Sequence, residues 1–118
     1  MTTAILPKLR SLGVNLTAGT SNTIYTCPNN YTSKLVLLLV SNGTAGNKTI
    51  TLQWNDITTS AAYSITSGYI LTSHNFLKFD TSYLIFNEGD FLTATPEAGS
   101  TMSAILTVEE YFDPSNKE

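Results

Sequence analysis

The sequence predicts an all-β fold: a single antiparallel two-sheet β-sandwich. Three observations point there. Apolar residues alternate with period two in several segments, which marks strands with one buried face. Turn-forming clusters recur at short intervals between those segments, as in a sandwich or barrel. The composition is rich in Thr but only 13% charged, about half the usual share. Thr suits a half-exposed pleated surface, whereas the Lys and Glu of exposed helices are scarce.

The elements follow in order. The turns are AGTSN (18–22), CPNN (27–30), SNGTAGN (41–47), TSG (66–68), TSHN (72–75), DTS (80–82), NEGD (87–90) and PEAGS (96–100). Between them, strands are expected near 9–16, 22–26, 33–41, 47–55, 61–65, 68–72, 75–79 with 83–86, and 91–95, and 102–112 closes the fold. In KTITLQWND, Ile50, Leu52 and Trp54 share one face, which places Trp54 in the core. In MSAILTVEE, Met102, Ala104, Leu106 and Val108 alternate with Ser103, Thr107 and Glu109. In NFLKFD, Leu77 and Phe79 oppose Phe76 and Lys78. No window carries an apolar stripe of period 3.6. About eight antiparallel strands fit a jelly roll or a related sandwich. The length, 118 residues, suits one domain with one core. Short arms are expected at about 1–10 and 113–118.

The run Leu35, Val36, Leu37, Leu38, Leu39, Val40 does not alternate. A strand apolar on both faces is covered twice or presented to a partner. A two-layer sandwich covers one face only. Either a loop or arm lies over the other face, or another subunit does. This run is the candidate assembly interface, and YLIF (83–86) raises the same question. Two such segments in a small chain favour a homo-oligomer.

Several functions are disfavoured. The net charge is −3 and the six basic residues are scattered, with Lys8 and Arg10 the one close pair. Neither nucleic acid nor an anionic membrane is an expected partner. The longest apolar run is too short to span a bilayer, and the N-terminal segment reads as no secretory signal. Cys27 is the single cysteine, so no intrachain disulfide or cysteine zinc site can form. His74 is the single histidine and sits in a turn, which argues against an imidazole metal centre and a Cys27–His74 dyad. Glu88 and Asp90 flank Gly89 in NEGD, where acidic residues usually shape the turn; Pro28, Gly89 and Asp90 are expected to be structural turn residues. The four glycosylation sequons at Asn15, Asn30, Asn42 and Asn47 arise readily in a Thr- and Asn-rich chain. No catalytic residue, cofactor or metal is expected.

The order NTIYTCP…YTSKLVLLLVSNGT…NKTITLQW…FNEGDFLTA…SAILTVEE resembles a group of small bacteriophage virion proteins. Their pattern is a Tyr-Thr-x-Pro turn, an apolar strand ending in Asn, an alternating strand, a Gly-Asp turn before a short strand, and a last strand ending in Glu. Tyr25, Thr26, Pro28, Asn42, Gly89, Asp90 and Glu109 stand at those places. Cys27 stands where the pattern often has Val. The match covers roughly residues 20–110. The resemblance implies a jelly-roll-like structural component of the virion, assembled in the bacterial cytoplasm. Its foremost reading is a capsid cement or decoration protein on the major capsid protein. A tail, neck or fibre component and a glycan-binding module are the alternatives.

Overall fold

The computed structural model describes residues 7–81 and 83–113. Nine strands form among them: β1 (Lys8–Leu16), β2 (Asn22–Thr26), β3 (Tyr31–Asn42), β4 (Lys48–Asp56), β5 (Ala61–Leu71), β6 (Phe76–Phe79), β7 (Leu84–Phe86), β8 (Phe91–Pro96) and β9 (Met102–Phe112). They make two antiparallel sheets. One runs β1-β9-β3-β6, with β7 also paired to β3; the other runs β2-β8-β4-β5. The first strand therefore pairs with the last, the second with the last but one, and so inward to the β4–β5 hairpin. This nested order is that of a jelly roll.

The strands differ from expectation in four places. The segment expected as 75–79 with 83–86 is two strands, β6 and β7, each paired separately with β3. The segments at 61–65 and 68–72 are one strand, β5, because Gly68 takes a positive φ of 61° and the chain bulges instead of turning. The expected N-terminal arm overlaps β1, which begins at Lys8 and pairs with β9 as far as Glu110. The remainder of that arm, and the C-terminal arm beyond Asp113, lie outside the described residues. The apolar run of β3 does not keep one phase along its length. Between Leu35 and Leu37 its register with β9 shifts by one residue. Ser33 and Leu35 face the core before the bulge, and Leu38, Val40 and Asn42 face it afterwards. A bulge inserts one extra residue and so resets the phase of alternation.

The core lies between the sheets. Leu38 and Val40 of β3 meet Ile50 and Leu52 of β4, Leu92 of β8 and Leu106 and Val108 of β9, all essentially inaccessible. Full burial of each such side chain contributes about 1.5–3 kcal/mol. Trp54 continues the inner face of β4 but lies at its margin. It is half-buried and stacks on Tyr63 of β5, with ring centroids 5.5 Å apart. Its Nε1 is buried without a hydrogen-bond partner. Among the described residues no helix is long and apolar enough to cross a membrane.

Candidate functional site

The bulge in β3 decides which part of the apolar run is presented outward. Leu35, Leu38 and Val40 are core residues and unavailable to a partner. Val36, Leu37 and Leu39 remain, half-buried, on the outer face of the five-stranded sheet. Leu39 stands opposite Ile105 of β9, which is 47% exposed, and Ile105 stands opposite Gly13 of β1. A side chain at Gly13 would meet nothing within 4 Å, so the surface beside Ile105 is open. Toward the edge, Ile85 of β7 and Phe76 of β6 extend the apolar surface. Polar pairs border it: Lys34 with Glu109 at 3.9 Å, Lys78 with Asp80 at 3.3 Å, and the Ser11 and Thr107 hydroxyls at 2.8 Å.

The outer face of the other sheet is different in kind. Thr49, Thr51 and Gln53 alternate with buried Ile50 and Leu52 on β4. Gln53 stands opposite Thr93 and Thr51 opposite Thr95, and Thr93 in turn opposes Thr23 of β2. Hydroxyls and amides line the middle of this face, with Ile70 exposed on its β5 edge, where the middle of the five-stranded sheet carries branched aliphatics.

Among the polar residues, the structure brings together a set that the motif pattern did not single out. Glu110, on β9, is buried and accepts hydrogen bonds from Arg10 Nη2 at 3.0 Å and the Tyr25 hydroxyl at 2.7 Å. Tyr25 OH also lies 2.6 Å from Ser33 Oγ, which is 3.2 Å from Cys27 Sγ. Tyr25 belongs to the four-stranded sheet, and the other three strands involved belong to the five-stranded one. The chain of contacts is thus a polar clamp between the layers. Burial pushes the Glu110 carboxyl up, but hydrogen bonds from Arg10 and Tyr25 outweigh it and hold the group below its ordinary value. Burial, then the Glu110 carboxylate, pushes the Tyr25 phenol well above its own. Glu110 was legible from the alternation of β9, because it is the next inward position after Val108. Glu109, the position in the motif pattern, faces outward to Lys34 and Tyr111.

The remaining candidates stand apart. Cys27 is buried, its thiol pushed up by burial, and it donates to the carbonyls of Tyr31 and Phe86. His74 lies exposed in a turn with φ 55°. Cys27 lies beside the first residue of β3 and His74 beside the last, so about 37 Å of strand separates them. Asp90 is fully buried; Oδ1 accepts the Ile57 amide at 3.1 Å and Oδ2 the Asn87 amide at 2.9 Å. Glu88 instead accepts the Asn30 amide at 2.8 Å. The two carboxylates therefore shape backbone separately. Gly89 has φ 86°, and Tyr31 N donates to Pro28 O at 3.2 Å, closing the turn into β3. Asn42 is buried and donates to the carbonyls of Gly46 and Leu71, so it organises the loop after β3. Among the described residues no three His, Cys, Asp or Glu side chains are grouped to hold a metal.

No family model matches the sequence, and no curated protein matches it. Solved structures do. The chain shares its fold with a chain of the Bacillus endospore appendages, a family of disulfide-linked pili. That likeness has a TM-score of 0.59 at 10% identity and covers 94% of this chain and 92% of the other. It is also similar to a chain of infectious bursal disease virus, strain Gt. There the TM-score is 0.51 at 12% identity, over 93% of this chain and 33% of the viral one. The present chain thus spans about a third of that viral protein. The fold is a jelly-roll sandwich. At such identities the likeness establishes the fold alone.

Proposed function

We propose that this chain is a non-enzymatic structural subunit of a bacteriophage virion, a capsid cement or decoration protein that stabilises the particle through subunit contacts. One observation carries the reading: the apolar outer face formed by Val36, Leu37, Leu39 and Ile105, on a sheet that no second layer covers among the described residues. Contiguous exposed apolar surface on a small protein marks a contact with another protein. The motif order shared with small phage virion proteins supports the phage assignment, and the sharing of the fold with pilus and virus chains agrees with a role in assembly. The major capsid protein is the expected partner, and assembly takes place in the bacterial cytoplasm. The glycan-binding alternative loses ground because Trp54 packs on Tyr63 and the core margin instead of forming an open stacking platform.

The test is the triple substitution Val36→Asn, Leu37→Asn, Leu39→Asn, with folding and incorporation into particles measured separately. The variant is expected to fold and to fail to incorporate. A variant that folds and incorporates as wild type overturns the assignment of this face. Recovery of the wild-type chain on tails rather than capsids moves it to the tail, neck or fibre.

A further inference from the structure

The edge of the four-stranded sheet is a second surface built for contact. β5 has β4 as its one hydrogen-bonded neighbour among the described residues. Its other side offers a row of backbone N–H and C=O groups to a further strand. Proteins guard such edges by charge, proline, shortness or bulges, and the other edges here carry charge or are short. β1 carries Lys8 and Arg10, β2 has five residues, and the opposite flank is split into β6 and β7 of four and three residues. β5 has eleven residues with neither charge nor proline, and its two bulges against β4 are the one such device it carries. Its Tyr63, Tyr69 and Ile70 are 50%, 47% and 62% exposed.

The sequence of β5, AAYSITSGYIL, is complementary to its own reverse. Folded against a copy of itself about Thr66, it sets Ala61 opposite Leu71, Ala62 opposite Ile70 and Tyr63 opposite Tyr69. Small side chains meet large ones and aromatic meets aromatic, the pairings that stabilise antiparallel neighbours. The faces agree. Tyr63 and Tyr69 oppose Trp54 and Ile50 of β4 on the inner side, and Ala62 and Ile70 oppose Asn55 and Thr49 on the outer side. The two register shifts of β5 fall on either side of the Leu52–Thr66 pair. The flank is also where the core is least closed. A cavity of about 210 Å³ opens beside it, lined by Leu35, Leu38, Ile65, Phe79, Tyr83 and Leu84. Covering it removes apolar surface from water.

We propose that β5 pairs antiparallel with β5 of a second copy about a two-fold axis at Thr66, joining two four-stranded sheets into one of eight strands. Such an interface is self-complementary and closes at two subunits. It leaves the outer face of the five-stranded sheet free, so it stands or falls apart from the virion assignment.

The test is sedimentation equilibrium of the full chain over a concentration series, with Ala62→Lys, Ile70→Glu and the double variant. Both positions are exposed and face outward, so the fold is retained, as thermal melts would verify. Each substitution occurs twice in a two-fold pair, and either single change should weaken dimerisation roughly tenfold. The double variant should recover it, because each Lys then meets the partner copy's Glu. Within one chain the two positions lie about 27 Å apart along the strand and cannot compensate each other. A wild-type chain that stays monomeric throughout overturns the proposal. So does a double variant no tighter than the single ones, or single variants that dimerise as wild type.

Discussion

Removal of the Glu110 carboxylate tests whether the clamp between the sheets is structural. In Glu110→Ala the Tyr25 hydroxyl keeps Ser33 as a partner at 2.6 Å, so it is not orphaned. What is lost is its charge-assisted bond to Glu110, about 1.5–3 kcal/mol. The Arg10 pair adds little, about 0–1 kcal/mol, because the arginine side chain is 38% exposed and rehydrates. The side-chain carbons removed add about 1 kcal/mol of lost burial, offset in part by relief of a buried charge. The expected loss is about 2–4 kcal/mol, a fall in Tm of roughly 8–16 °C for a chain of this size. Calorimetry at neutral pH measures it. Because the folded carboxyl is held below its ordinary value, its contribution is full above the unfolded group's titration and is lost as pH falls through the folded one. Glu110→Gln should therefore flatten the acid limb of the stability curve while leaving its neutral limb parallel to wild type, and should soften the alkaline limb to the extent that the carboxylate raises the Tyr25 phenol. A thermally silent Glu110→Ala, or an acid limb unchanged in Glu110→Gln, refutes the clamp.

The turn before β8 gives two further tests. Asp90→Ala leaves the amides of Ile57 and Asn87 without their acceptors in a part-buried turn, and should cost about 1–3 kcal/mol by urea denaturation; calcium should leave the wild-type Tm unchanged, and a chelator-reversible rise would mean that the carboxylate binds metal. Gly89→Ala must hold φ 86° and bring its Cβ within 3.2 Å of Ile57 Cγ2, so a loss of about 1–3 kcal/mol is expected, and a neutral result would show that the turn relaxes.

How far the sequence was legible depended on contrast between neighbouring residues. In β4 and β9 polar and apolar residues alternate, so facing followed directly; the same phase carried one step past Val108 points Glu110 inward, a step the reading of β9 did not take. The run Leu35–Val40 offers no contrast, and a bulge inside six apolar residues leaves no local trace. A trace exists only at its ends. Ser33 and Asn42 are an odd number of positions apart, yet both are buried, and only a bulge between them permits that. TSG read as a turn because glycine at positive φ serves turns and bulges alike, and only pairing with β4 separates the two. Trp54 was read as core from its phase alone. Phase reports which way a side chain points, not how near the sheet margin it stands. The charged start of β1 read as an arm because its partner lies a hundred residues away, in the last strand.

The two outer faces make the molecule a tile with unlike sides. A tile that adheres by its aliphatic side shows threonine hydroxyls and a glutamine amide on the other. On the assembly reading proposed above, those groups bond as readily to water as to an arriving tile, and a second layer would gain little apolar contact beyond Ile70 by settling on the first. Coverage would then halt at one subunit thickness, leaving a hydrated, sparsely charged coat over the adhesive face.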